Sequence, residues 1–273
     1  MTAQAVVPSL LYTLFLAVLQ GLTEFLPVSS SGHLAAAQIL WPAMAFPGEI
    51  FEVAVHLGTT AAVLFYYRRL LLDIARGLTS GAGTAGLTSV QWAGCLVAAT
   101  IPTAIIGLTF EDAIRGAFNR LGLIALCFAI TGVVLMSTRF VERRTAVLTL
   151  GTALAIGVIQ GAAIFPGISR SGMTISLALL LGIRARQAVT FSFLLSVPAI
   201  MGAALLTGLN LLEEPIGSGV LFAHMGFATL CAGAIGYVCI GLVHRATEDR
   251  WWHRFAWYLW ALAAVLAWLA LGS

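Results

Sequence analysis

Two stretches of this chain match each other at a constant offset of 140 residues, and that duplication limits the fold more than any other feature. Leu14 pairs with Leu154, Val18 with Val158, Gln20 with Gln160 and Gly21 with Gly161. Phe25 pairs with Phe165, Ser29 with Ser169, Ser31 with Ser171 and Gly32 with Gly172, without a gap as far as Phe51 and Phe191. In each copy an apolar run meets a proline inside a polar segment: "QGLTEFLPVSSSGHL" at residues 20–34 and "QGAAIFPGISRSGMT" at residues 160–174. The surrounding chain is 60% hydrophobic and 9% charged, against about 25% charged in a soluble domain. Such a chain reads as a polytopic membrane protein.

A spanning helix needs ~20 mainly apolar residues. Residues 51–67, 90–110, 121–140, 188–212, 220–243 and 255–271 are candidates. The polar segments break two further apolar regions, leaving second limbs at 34–41, before Pro42, and at 172–183, before Arg184. A limb of ~12 residues covers about 18 Å, too short for a ~30 Å hydrocarbon core. Each region is therefore predicted to be a re-entrant helical hairpin. The expected fold is an all-α integral membrane protein, an inverted-topology repeat with six full spans and two re-entrant hairpins. One membrane domain would cover residues 1–273, with repeat A at about 9–140 and repeat B at about 147–273.

Charge sets the expected orientation. Four connections are Arg-rich: Arg68, Arg69 and Arg76; Arg139, Arg143 and Arg144; Arg184 and Arg186; Arg245, Arg250 and Arg254. The positive-inside rule assigns them to the cytoplasm. The others hold Glu49, then Glu111, Asp112, Arg115 and Arg120, then Glu213 and Glu214. Both termini then fall on the extracytoplasmic side, the first hairpin opens outward and the second opens inward. Inverted repeats commonly place a site near the midplane, at broken helices. The first eight residues carry no Arg or Lys, so no cleaved leader is expected. A formal charge of +3 gives no reason to expect nucleic acid. Cys95, Cys127, Cys231 and Cys239 lack metal-ligand spacing and read as small buried residues. Trp251, Trp252, Trp257 and Trp260 suit an interfacial belt, and His244 and His253 fall in a basic loop.

The chemistry concentrates in the two polar segments. Pro27 and Pro166 end their helices, because proline lacks an N–H and restricts its predecessor. Helices restarting near Gly32 and Gly172 would present N–H groups and a partial positive charge, which suit phosphate. Arg170 is an intramembrane arginine, a functional hypothesis by default, and its planar fork suits phosphate. Its plainer role is a structural pair with Glu24 or Glu52. Ser169, Ser171 and Thr174 add hydroxyls to the same patch. Glu24 could ligate a hard cation, Mg²⁺ or Ca²⁺, or hold a proton. Gln20, four residues earlier, adds a carbonyl ligand or merely bonds freed backbone. Glu52 is a second carboxylate or an interfacial one, and His56 can face the site from the same helix. Ser29, Ser30 and Ser31 offer nucleophiles and His33 a base, Ser30 and His33 sharing a face at i, i+3. Helix capping is the plainer role for these serines, favoured for Ser29 and Ser31. Under the offset Ser30 corresponds to Arg170, so one copy supplies a nucleophile where the other supplies a cation.

These motifs, "QGLTEFLPVSSSGH" and "PGISRSGMTIS", resemble the two signatures of the undecaprenyl-diphosphatase family, bacterial membrane phosphatases of the bacitracin-resistance type. The resemblance extends to "FEVAVHLGT" at 51–59 and "FSFLLSVPAIMGA" at 191–203 and covers essentially the whole chain. It implies hydrolysis of undecaprenyl diphosphate to undecaprenyl phosphate and inorganic phosphate, recycling the lipid carrier of cell-wall synthesis and conferring bacitracin resistance. It also implies a multi-pass protein of the bacterial inner membrane, a site open to the extracytoplasmic side, and a divalent metal, Mg²⁺ or Ca²⁺. The partners implied are a polyprenyl diphosphate lipid and the bilayer; a homodimer is compatible with them. Carried over residue by residue, Gln20 and Glu24 fall on the metal and catalytic positions, Ser30 and His33 on the catalytic serine and histidine, and Ser169, Arg170, Ser171 and Thr174 on the phosphate clamp. Gln20 stands where the family often has Glu. Ser30 would attack the terminal phosphorus with help from His33, attack by a metal-bound water being the main variant. The rival class is a polyprenyl-phosphate transporter using the same anion site without chemistry.

Overall fold

The computed structural model describes residues 9–42, 46, 50–84, 86–141, 146–213 and 219–272, the side chains of 210–213 excepted. The charges at Glu49, Arg143, Arg144 and Glu214, and the side chain of Glu213, lie outside the described residues. The first half runs α1 (Leu10–Thr23), α2 (Ser30–Leu40), α3 (Ile50–Tyr66), α4 (Arg68–Ser80), α5 (Ser89–Thr109), α6 (Glu111–Ala117) and α7 (Leu121–Ser137). The second runs α8 (Leu150–Ala162), α9 (Arg170–Leu180), α10 (Ala185–Glu213), α11 (Gly219–Glu248) and α12 (Phe255–Gly272). Turns of 3₁₀ helix at Thr138–Phe140 and Trp252–Arg254 extend α7 and precede α12. A two-residue ribbon, β1 (Gly83–Thr84) with β2 (Leu87–Thr88), is the only sheet among the described residues.

Local chemistry fixes the helix starts. Ser9 caps α1 by accepting the Tyr12 amide at 3.2 Å. Thr88 with Gln91, and Thr149 with Thr152, form reciprocal capping boxes at the starts of α5 and α8. Pro102 and Pro198 lie inside α5 and α10, which packed neighbours permit in membrane helices.

Five helical segments are long and apolar enough to cross a bilayer: α5, α7 with its 3₁₀ turn, α10, α11, and α12 with its preceding turn. The sixth expected span, 51–67, is shorter. The 17 residues of α3 reach about 25 Å, and the chain then bends 66° into α4. The protein is thus a mostly helical, multi-pass membrane protein with five or six span candidates among the described residues. Val97, Ile101, Ile105 and Leu108 are each more than half exposed and form a stripe along α5, the face a bilayer covers. Two readings change. Arg68, Arg69 and Arg76 do not sit in a loop but on α4, a polar-faced helix. His244 and Arg245 lie inside α11, where the His244 ring bonds the Tyr67 hydroxyl at 2.7 Å.

The two halves pack through each other. α1 lies on α11, and its counterpart α8 lies on α5. Small residues allow this. A methyl at Gly21 would meet the Ala232 carbonyl at 2.9 Å, and one at the offset-related Gly161 would meet Ile106 at 2.7 Å. Between α3 and α11 the contact is closer still, with a methyl at Gly58 only 2.1 Å from the Thr229 carbonyl oxygen. Helices in lipid associate by such backbone approach.

Candidate active site

Both polar segments fold as helix, sharp bend, helix, and the bends meet. The Glu24 amide still bonds the Gln20 carbonyl at 2.9 Å, but Pro27 lacks an N–H and the helix stops. Ser29 then takes φ 67°, a conformation that costs a non-glycine residue about 1–3 kcal/mol. Its hydroxyl accepts the Gly32 amide at 3.3 Å and, across the molecule, the Gly167 amide at 3.1 Å. In the second segment Ser169 accepts the Gly172 amide at 3.1 Å, and Ser171 donates back to the Leu26 carbonyl at 3.1 Å. A methyl on Gly32 would stand 2.6 Å from the Gly167 backbone, so the bends touch at glycine. Ser29, Ser31, Ser169 and Ser171 thus have their hydroxyls engaged in caps, ties and two Ser–Ser contacts of 3.3 Å. Thr174 is fully buried, donating to the Arg170 carbonyl at 2.7 Å and meeting Ser192 of α10 at 2.6 Å.

This interlock brings Glu24 and Arg170 together. One carboxylate oxygen, Oε1, pairs with Arg170 Nη2. The other, Oε2, receives the Ser30 hydroxyl at 2.5 Å, the Gln20 amide at 3.1 Å and His56 Nε2 at 3.3 Å. His56 Nδ1 also faces an acceptor, the Glu52 carbonyl at 2.7 Å. The Glu24 side chain is only 4% exposed, while Arg170 and His56 keep 20% and 19%. The carboxylate is therefore the floor of the site, and the cationic fork and the imidazole rise toward its mouth. α2 and α9 begin here, at Ser30 and Arg170, and first-turn amides have no intrahelical acceptor. Two helix N-termini and an arginine converge on one point, an arrangement suited to a multiply charged anion.

His33 is placed differently from its expected role. The i, i+3 spacing does not bring it to Ser30 in any hydrogen bond among the described residues. Its Nδ1 donates to the Ser29 carbonyl at 2.7 Å, so Nε2 of the neutral ring accepts the Tyr258 hydroxyl at 2.7 Å. The rings of His33 and Tyr258 stack with an interplanar angle of 1°. The group next to the Ser30 proton is the Glu24 carboxylate. Tyr258, on α12, is a site residue that sequence reasoning missed; it lies 225 positions from His33, and no local pattern marks it. Trp252 also departs from its expected interfacial place: it is 2% exposed, and its indole donates to Ser176 of α9 at 3.0 Å.

Among the described residues no three His, Cys, Asp or Glu side chains gather as ligands. Gln20 Oε1, however, is buried without a partner beside Glu24. A hard cation takes oxygen, and Mg²⁺ commonly binds one or two carboxylates plus substrate phosphates. Gln20 and Glu24 fit an ion that arrives with a phosphorylated substrate.

Known proteins match this chain over nearly its whole length. The chain is 40% identical over 264 residues to an undecaprenyl-diphosphatase of Syntrophotalea carbinolica, covering 94% of this chain and 97% of that protein. It is 39% identical over 272 residues to one of Rubrobacter xylanophilus, covering 96% and 98%. It is 40% identical over 264 residues to one of Alcanivorax borkumensis, covering 94% and 98%. A family model described as bacitracin resistance protein BacA matches residues 13–265, and with that span the chain belongs to the bacitracin resistance protein BacA family.

Proposed function

We infer that this protein hydrolyses undecaprenyl diphosphate to undecaprenyl phosphate and inorganic phosphate, returning the lipid carrier to cell-wall synthesis. The observation that carries the reading is the Ser30 hydroxyl on the Glu24 carboxylate, 2.5 Å apart, beside Arg170 where two helix N-termini converge. A carrier of polyprenyl phosphate needs the anion site but not a hydroxyl on a base.

The lipid tail stays in the bilayer and the diphosphate enters at the mouth formed by Arg170 and His56. Arg170, one-fifth exposed, reaches the phosphate oxygens with its fork. The amides of α2 and α9 face the same charge, and such preorganised donors supply most of the catalysis in phosphoryl transfer. Glu24 takes the Ser30 proton as Oγ bonds to the terminal phosphorus. The bond from that phosphorus to the bridging oxygen breaks, and undecaprenyl phosphate leaves with the proton that Glu24 passes to it. Water then attacks the phosphoserine, its proton going to Glu24 and on to Ser30 Oγ as phosphate departs. His56 and Gln20 hold Glu24 in place by donating to Oε2, and Tyr258 with the Ser29 carbonyl fixes the His33 ring at the base of α2. A divalent cation, held by Glu24 and Gln20 Oε1, would neutralise phosphate oxygens when bound.

The membrane arrangement belongs to the same proposal: six spans, the α1–α2 and α8–α9 pairs as re-entrant hairpins of opposite sense, and a site open to the extracytoplasmic side. Equivalent packing of α1 on α11 and α8 on α5, and equivalent caps at Ser29 and Ser169, support it.

The test is phosphate release from undecaprenyl diphosphate by purified protein, with Mg²⁺, Ca²⁺ or chelator, followed by rapid quench for phosphate bound to Ser30. Metal-dependent release with trapped phosphoserine is expected. Release without any trapped phosphate would remove Ser30 as nucleophile; no release by folded protein, with lipid movement between leaflets, would replace the hydrolase by a carrier.

A further inference from the structure

A cluster of arginines lies at the end of α9 opposite Arg170. A cavity of about 540 Å³ forms where helix ends and turns meet: the 3₁₀ turn after α7, the end of α9 with the start of α10, the end of α11, and the turn before α12. Arg139, Arg184, Arg186 and Arg250 line it, against a single Glu248. Among the described residues none of these arginines forms an ion pair with a carboxylate. Arg250 is held by its own backbone, with φ at 65°, and by a 2.8 Å bond from its guanidinium to the Val141 carbonyl. The α10 N-terminus opens on the same space, adding first-turn amides to the four cations. α9 carries Arg170 at its first residue and Leu179 of the cavity wall near its last, about 14 Å apart.

Phe140 is 80% exposed and Trp251 51%, and each is next in sequence to an arginine of the lining, Arg139 and Arg250, in the turns after α7 and α11. Aromatic side chains of this exposure beside clustered arginine mark the headgroup level of a bilayer, and basic pockets between helices at the cytoplasmic side recognise lipid phosphates. We propose that this cavity is a binding site for the anionic phosphate headgroup of a membrane lipid, separate from the catalytic site and on the Arg-rich face of the protein.

The experiment uses purified full-length protein in a neutral maltoside detergent, titrated with dioleoyl phosphatidylglycerol and read by native mass spectrometry for retained lipid. One saturable lipid is expected. Each arginine near the surface contributes enough that its loss weakens binding about fivefold, so Arg184→Gln with Arg186→Gln weakens it by about thirtyfold. Arg68→Gln with Arg69→Gln, on α4, leaves it unchanged. Equal binding by both pairs of variants overturns the site. The wild-type protein gives an independent check: dioleoyl phosphatidylcholine, whose headgroup has no net charge, must be retained far less, and equal retention also overturns the proposal. Inorganic phosphate that displaces the lipid at equal concentration would show a site for the free anion and overturn the lipid assignment.

Discussion

The Glu24–Arg170 pair makes a quantitative prediction that separates folding from catalysis. The Arg170 side chain is 20% exposed and the Glu24 side chain 4%. Removing one partner of a buried pair costs about 3–5 kcal/mol, because the other charge is left without compensation. In Arg170→Met, Glu24 keeps donors from Ser30, Gln20 and His56, which puts the cost at the low end, about 3 kcal/mol. At about 2–4 °C per kcal/mol this is a fall in Tm on the order of 6–12 °C. Glu24→Gln leaves Arg170 nearer the mouth, where water reaches it, and costs less. The double variant Glu24→Gln, Arg170→Met leaves neither charge unpaired and recovers most of the lost stability. Activity does not follow. Each single variant and the double lose at least about a thousandfold in phosphate release, since one removes the proton acceptor and the other the charge clamp. Thermal unfolding in detergent and phosphate release, measured on the same preparations, check both halves. Strictly additive Tm losses in the double variant would refute the buried pair, and any variant active within tenfold of wild type would move the chemistry elsewhere.

Three smaller perturbations test neighbouring contacts. Tyr258→Phe keeps the ring stack on His33 but removes the donor to Nε2; a loss of about 1–1.5 kcal/mol of stability, a fall in Tm on the order of 2–6 °C by thermal unfolding, is expected. Gly32→Ala drives a methyl to 2.6 Å from the Gly167 backbone, so it should lower Tm and activity together, whereas Gly122→Ala, whose nearest neighbour would be 3.8 Å away, should change neither. Gln20→Leu removes the unpartnered oxygen beside Glu24 and should raise the metal concentration needed for half-maximal phosphate release, while Gln20→Glu should lower it.

The sequence exposed the parts of this molecule that depend on short-range pattern. Long apolar runs mark six spans, five of which fold as helices long and apolar enough to cross a bilayer, and the offset of 140 residues makes Ser29 equivalent to Ser169 and Gly32 to Gly172. Glu24 and Arg170 read as possible partners because each is costly to bury alone. What pattern could not supply was direction. Spacing placed Ser30 and His33 on one face, yet the backbone twist at Ser29 sends the Ser30 hydroxyl to Glu24 and the imidazole to Tyr258. Arg68 and Arg69 read as a loop because their charge hides a helix that lies at an angle to α3. Trp252 read as an interfacial residue because tryptophan is common there, but a hydroxyl on α9 gave its indole a buried partner.

The interlock of the two bends has a consequence for biosynthesis. The contacts that tie the two bends to each other join residues about 140 positions apart: Gly167 to Ser29, Ser171 to Leu26, Arg170 to Glu24. At about 5–20 residues per second a ribosome delivers the second bend on the order of ten seconds after the first. Through that interval the newborn first half holds Glu24 without its arginine and Ser29 without the amide it will accept. The nascent chain therefore has to keep this segment hydrated, or shielded by the insertion machinery, until its counterpart arrives. Maturation of the enzyme is then a late docking of two inserted halves, which makes the last-formed contacts, rather than helix insertion, the step at which a slow or faulty translation would leave a membrane-embedded but silent protein.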